Sequence, residues 1–204
     1  MNDKISSKPK TSQPPSAPGY YCTELHDLLD ELQSRPLIVI SGPPGIGKST
    51  LVATYLDGRH LPSIWYHVDK DDDDPATFFH HLERALREVK PVANLKLPDL
   101  TPKASENIAE FSKRYFEQVY SHLEVPFLIV FDDYQEIAQD ARLHDVIKVA
   151  CSGLPKGGRI VIITRAECPP VLAQLRINNM VAIIESHDFQ MSPSNVIAPL
   201  PCPD

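Results

Sequence analysis

The feature that most restricts the fold of this chain is a glycine-rich turn set between a short apolar run and a helix-forming one. Gly42-Pro43-Pro44-Gly45-Ile46-Gly47-Lys48-Ser49 fits the pattern G-x-x-x-x-G-K-[ST], with Leu37-Ile38-Val39-Ile40 just before it and a helical stretch from Lys48 to Leu56 after it. Four fixed positions match by chance in roughly 1 in 100 chains of this length. The flanking strand and helix are the context that the chemistry of such a loop demands. Glycines let the backbone turn with its N–H groups aimed inward, a nest of donors for a β-phosphate. The helix that follows offers the partial positive charge of its N-terminus to the same anion. Lys48 reaches β- and γ-oxygens as a mobile point charge. Ser49 supplies a hydroxyl to magnesium, and Thr50 donates to an α-phosphate. The competing account is a glycine-proline turn that happens to precede a helix.

A loop of this kind needs an acid at the end of a neighbouring strand. Phe127-Leu128-Ile129-Val130-Phe131-Asp132-Asp133 provides five apolar residues and then two carboxylates, at the strand edge where ligands of α/β sheets bind. Asp132 is the expected magnesium residue and Asp133 the group that orients or deprotonates an attacking water. The order of these two roles is open, and both acids capping a loop is the alternative. Ile160-Val161-Ile162-Ile163-Thr164-Arg165 is another such run, ending in a hydroxyl and a cation. Arg165 could read a γ-phosphate and stabilise transition-state charge, or it could form a surface salt bridge.

With Ile64–Val68 and Val181–Ile184, these make five continuous, β-branched runs, the mark of strands covered on both faces. Helical stretches alternate with them: Ala76–Val89, with Asp74 placed to cap it and Pro75 at the first helical position; Ser105–Leu123, with Ile108, Phe111, Tyr115, Val119 and Leu123 at helical spacing; Leu143–Cys151; and a short helix around Val171–Leu175. The alternation predicts an α/β fold, a five-stranded mostly parallel sheet flanked by helices on both faces. Residues 1–19, rich in Pro, Ser, Lys and Gln, read as a disordered leader; 20–191 as the folded domain; and 192–204, with four prolines, as a Pro-rich tail.

Composition narrows the function. A formal net charge of -7 over 204 residues argues against nucleic-acid contact by phosphate neutralisation. No apolar run reaches membrane-spanning length, and the N-terminus lacks the apolar core of a secretory signal, so a cytoplasmic location without membrane contact is expected. Cys22, Cys151, Cys168 and Cys202 form no C-x-x-C pair and read as free thiols. Asp69-Lys70-Asp71-Asp72-Asp73-Asp74 lacks the mid-loop glycine and terminal glutamate of a calcium loop and reads as a solvated turn. His80-His81 has no metal-binding pattern around it. Trp65 and Tyr66 are expected in the core, with base stacking as the alternative.

Taken together, these segments resemble the nucleotide-binding domain of the STAND class of signalling P-loop ATPases, in its branch of MalT-like, LuxR-type bacterial transcription activators. The resemblance runs from about Leu25 to Ser192. It rests on Leu37 to Leu51, Trp65-Tyr66 with Asp69, Asp74 to Phe78, Val130 to Tyr134, Ile163 to Arg165, and Pro169 to Arg176. It implies ATP and ADP binding with Mg2+, slow hydrolysis, and a nucleotide-dependent switch between a closed monomer and a self-associated form. Arg165 matches the family's arginine after the fourth strand, and Asp132-Asp133 its paired acids; Thr164 stands where serine is more usual. The family's winged helix, helical sensor arm and DNA-binding helix-turn-helix have no counterpart in these residues. A core without those lids is expected to bind nucleotide weakly. The alternatives are a small-molecule kinase, for which Lys90 to Pro102 is too apolar and proline-rich to serve as a lid, and a truncated, non-hydrolysing nucleotide-binding interaction module.

Overall fold

The computed structural model describes residues 10–15, 22–87 and 95–190. Its strands are β1 (Leu37–Ser41), β2 (Ser63–His67), β3 (Phe127–Asp132), β4 (Gly158–Thr164) and β5 (Val181–Ile184). The helices are α1 (Thr23–Glu31), α2 (Lys48–Arg59), α3 (Pro75–Arg87), α4 (Pro102–Ser105), α5 (Ile108–Tyr120), α6 (Leu143–Ser152) and α7 (Pro170–Ala173). The strands form one sheet in the order β2-β3-β4-β1-β5, and every pairing is parallel.

Alternation along each strand divides the core in two. Leu37 and Val39 of β1 face a cluster built with Phe78 of α3, Phe111 of α5, Val146 of α6 and Leu172 of α7. Ile38 and Ile40 face the other way, onto Leu25 and Leu29 of α1 and Leu51 and Val52 of α2. Covering both faces is why the strands read as unbroken apolar runs. Each fully buried aliphatic or aromatic side chain contributes about 1.5–3 kcal/mol, so the two clusters fix which face of every strand points where. Trp65 and Tyr66 fall on opposite faces, both buried, and serve the core rather than a base.

Several boundaries differ from the expected ones. The β4 strand starts two residues early, at Gly158, because Arg159 is buried in it. The Arg159 guanidinium donates to the Leu29 carbonyl and to the Tyr55 hydroxyl, both at 3.2 Å; apolarity alone cannot flag such a strand residue. The helix expected over Ser105–Leu123 is broken. Thr101 caps α4 through the Ala104 N–H at 3.3 Å, and Asn107 starts α5 by accepting from the Glu110 N–H at 3.3 Å. Two N-caps six residues apart begin two separate helices. At α3 the expected cap is present, with the Thr77 N–H donating to Asp74 Oδ2 at 3.1 Å; residues 88 and 89 of the expected helix lie outside the described residues.

The acidic turn after β2 is not merely solvated. Asp72 is fully buried, accepting from the Tyr66 hydroxyl at 2.8 Å, the Asp69 N–H at 2.9 Å and Lys10 Nζ at 2.7 Å. Asp73 accepts from the Ala138 N–H at 2.9 Å. These bonds hold the turn between β2 and the loop after β3. Part of the expected leader is among the described residues. Its residues 10–15 lie on the domain: the His67 N–H donates to the Lys10 carbonyl at 2.8 Å, and Gln13 donates to Asp57 at 3.1 Å. Backbone pairing there covers the outer edge of β2, which a sheet otherwise leaves open. The rest of the leader and the whole of the Pro-rich tail lie outside the described residues.

Candidate functional site

The strands β3, β4 and β1 are neighbours, so their C-terminal ends open onto one cleft of about 240 Å³. The glycine-rich loop leaves β1 and enters α2 at Lys48. Gly45 and Gly47 sit at φ 84° and 90°, where a side chain would strain the backbone. The first N–H groups of α2 have no intrahelical acceptor, and Gly47 at its N-cap brings no side chain to satisfy them. The result is a set of backbone donors facing the cleft.

Pro44, Gly45, Gly47, Lys48, Ser49 and Thr50 line the cleft from the loop side. Gly42, Pro43 and Ile46 of the same loop are not part of this lining. Lys48 Nζ donates to the carbonyls of Gly42 at 2.7 Å and Pro43 at 2.9 Å, so the loop holds its own ammonium. Burial, then the nearby Arg165 charge, lower the Lys48 pKa, while Asp132 and Asp133 act to raise it.

Asp132, Asp133, Gln135, Thr164 and Arg165 close the cleft from the β3 and β4 ends. The Ser49 hydroxyl donates to Asp132 Oδ1 at 3.2 Å, across 83 residues of sequence. Burial and the adjacent Asp133 charge raise the Asp132 pKa, partly offset by the bonds from Ser49 and the Asp133 N–H. Asp133 has φ 59° and ψ 33°, a left-handed conformation that aspartate tolerates better than most residues. Its Oδ1 accepts from Arg165 at 3.4 Å and from Gln135 Nε2 at 3.2 Å. The Arg165 N–H donates to Gln135 Oε1 at 3.0 Å, and the guanidinium is half exposed at the cleft mouth.

Apart from Gly42, Pro43 and Ile46, the residues singled out in sequence therefore line one cleft. Two others were missed. Gln135 bridges Asp133 and the backbone of Arg165, and its place two residues after the paired acids was the only available signal. His67 ends β2 directly opposite Asp132 in the sheet register. Its Nδ1 lies 3.8 Å from Asp132 Oδ2 and 3.8 Å from Asp133 Oδ2. No sequence spacing marks it, because strand pairing alone brings it there. A larger groove of about 740 Å³ between α5 and α6 includes none of these residues.

A family profile described as AAA ATPase domain matches residues 21–163. The chain belongs to the AAA ATPase domain family. This AAA ATPase domain is 29% identical over 160 residues to the HTH-type transcriptional regulator MalT of Vibrio parahaemolyticus, covering 76% of the chain and 17% of that protein. It is 25% identical over 187 residues to the serine/threonine-protein kinase PknK of Mycobacterium tuberculosis, covering 87% of the chain and 16% of the relative. The domain thus spans about a sixth of the length of these curated relatives. Among solved structures, the Drosophila ORC bound to AT-rich DNA and Cdc6 matches with a TM-score of 0.51 at 10% identity, over 83% of this chain and 55% of that one; this likeness concerns the fold alone. Among the described residues, no helix is long and apolar enough to cross a membrane.

Proposed function

We propose that this domain binds ATP with Mg2+ and hydrolyses it slowly, as the nucleotide switch of a larger STAND-type, MalT-like cytoplasmic regulator. The observation that carries the reading is the 3.2 Å hydrogen bond from Ser49 to Asp132. It joins the phosphate loop to the acid at the end of β3. A hydroxyl and a carboxylate at that separation form a hard oxygen pair suited to Mg2+, which keeps most of its waters and takes few protein ligands. Bound there, Mg2+ supplies neutralisation of charge on the β- and γ-phosphate oxygens.

The other roles belong to the chain. Lys48 exchanges its loop carbonyls for phosphate oxygens. The N–H groups from Gly45 to Thr50 hold the β-phosphate, with the Thr50 hydroxyl directed to the α-phosphate. Asp133 orients the attacking water, and Arg165 leaves it for the γ-phosphate as the triphosphate arrives. The Asp133–Arg165 pair thus gates the mouth in the nucleotide-free chain. Self-association in response to nucleotide is a property of the larger regulator, in which further domains would cover the base.

The cleft size supports weak binding. About 240 Å³ lies below the roughly 300–1,000 Å³ of sites that enclose a small molecule. It accepts a phosphate chain and leaves the base largely in solvent. Calorimetric titration with Mg-ATP, Mg-ADP and Mg-GTP, followed by a turnover assay, tests the proposal. A micromolar or weaker dissociation constant for the adenine nucleotides, with measurable slow turnover, is expected. A dissociation constant below about 1 μM, near -8 kcal/mol, contradicts the open-cleft argument, and no binding at all contradicts the function.

A further inference from the structure

We infer that a second divalent cation, of the class that accepts nitrogen as well as oxygen donors, binds between His67 Nδ1, Asp132 Oδ2 and Asp133 Oδ2. These three atoms lie within 4.8 Å of one another. His67 and Asp132 are buried, and Asp133 is half-buried. The position needs only side chains of the folded chain, so it stands apart from the nucleotide reading; only the bridging role of Asp132 described below rests on that reading.

The histidine is oriented as a ligand. Its Nε2 lies 2.9 Å from the Ser12 carbonyl. A carbonyl only accepts, so Nε2 carries the proton in this bond. In the neutral ring Nδ1 then holds the lone pair, and Nδ1 is the atom that faces both carboxylates at 3.8 Å. Metal-bound histidines commonly donate the other ring N–H to a backbone carbonyl or a carboxylate, which fixes the tautomer. Bonds of about 2.1 Å in tetrahedral geometry place ligand atoms roughly 3.4 Å apart. The two histidine–carboxylate separations therefore need to close by only about 0.4 Å, within reach of side-chain rotation, and the two carboxylate oxygens lie within 4.8 Å of each other.

The two oxygens of Asp132 face different ways. Oδ1 accepts from Ser49, toward the phosphate loop, and Oδ2 faces His67. One carboxylate can bridge a cation on each side, as in two-metal sites with ions about 3.5–4 Å apart. Two adjacent carboxylates beside a buried imidazole favour a positive occupant. The nitrogen donor moves preference from Mg2+ and Ca2+ toward Zn2+ and the other divalent ions that favour imidazole, for which Mn2+ serves as the paramagnetic probe. Such an ion takes Oδ2 of Asp133 and leaves Oδ1 to Arg165, and it holds residues 10–15 to the domain through the bond from His67 to Ser12.

The alternative occupant is a proton: an imidazolium whose Nδ1–H sits between the two carboxylates. Chelator-treated 204-residue chain is titrated with Mn2+ without nucleotide, and pulsed EPR of the bound ion reads nitrogen coupling. One Mn2+ per chain is expected, with histidine nitrogen coupling and displacement by Zn2+. His67→Ala should weaken binding at least tenfold and abolish the coupling, while His80→Ala, exposed on α3, should leave both in place. Coupling that shifts on 15N-histidine labelling of the unmutated chain gives the same support should His67→Ala fail to fold. Mn2+ binding without nitrogen coupling, equal binding by a folded His67→Ala, or no binding overturns the inference. A separate Mg-ATP titration of the same preparation reports on the nucleotide site, so the two proposals fail independently.

Discussion

Replacing Lys48 with Ala separates the fold from its proposed ligand. In the free chain the ammonium makes two charge-assisted bonds, to Gly42 and Pro43, at 2.7 and 2.9 Å. Bonds of this type contribute about 1.5–3 kcal/mol each. Removing them also removes a charge that burial and Arg165 already disfavour, so the two effects partly cancel. The net change in stability should stay within about 1 kcal/mol, a shift of about 2–4 °C in Tm for a domain of this size. Nucleotide binding has no such offset, because phosphate oxygens replace the carbonyls and lose both bonds. A loss of about 3–4 kcal/mol corresponds to roughly a 100- to 1,000-fold weaker dissociation constant. Thermal melts and Mg-ATP calorimetry on the two chains measure both quantities. Unchanged affinity in a folded Lys48→Ala chain refutes the assigned role. A collapse in Tm refutes the cancellation.

Other substitutions probe the same logic. Burial and Asp133 raise the Asp132 pKa, so ionised Asp132 costs stability near neutral pH. Asp132→Asn should melt higher than the parent at pH 7, by a margin that vanishes as acid neutralises the carboxyl, and should bind Mg-ATP at least tenfold more weakly. Burial lowers the pKa of His26 and of His144 below 6.5. The unfolded chain therefore takes up protons first, and stability should fall as pH drops from about 6.5 through the lower folded-state values. Urea midpoints from pH 7.5 to 5 measure this, and His144→Gln should flatten the slope. Asp72→Ala strands the Tyr66 hydroxyl and the Asp69 N–H and leaves the Lys10 ammonium only Asp69, and should cost about 3 kcal/mol by urea unfolding. A loss under about 1 kcal/mol would show that the turn is not anchored there.

Much of the site was legible because its parts are local. The strand, glycine-rich turn and helix from Leu37 to Arg59 are continuous in sequence, and their spacing admits few other backbones. Asp132-Asp133 and Thr164-Arg165 each follow an unbroken apolar run, and both faces of the sheet are covered. Local pattern was misleading where a polar group is buried with its partners. Arg159 inside β4 and Asp72 in the acidic turn look like surface residues in sequence. Arg159 is satisfied by atoms more than 100 residues away, and Asp72 by its own turn together with Tyr66 and the distant Lys10. The break between α4 and α5 was hidden for another reason: the apolar spacing begins only at Ile108, so it does not mark where the Asn107 side chain diverts the backbone.

By itself, the order of residues determined a parallel α/β domain with a phosphate-binding turn and acids at strand ends, since each follows from periodicity and short covalent spacing. Strand order and register were decided only by tertiary packing. Placing β2 beside β3 sets His67 against Asp132 across 65 residues, and placing β3 beside β4 sets Asp133 and Gln135 within reach of Arg165. The physical reason is that pairing of parallel strands is chosen by burial on both faces at once, a sum over distant residues that no local window contains.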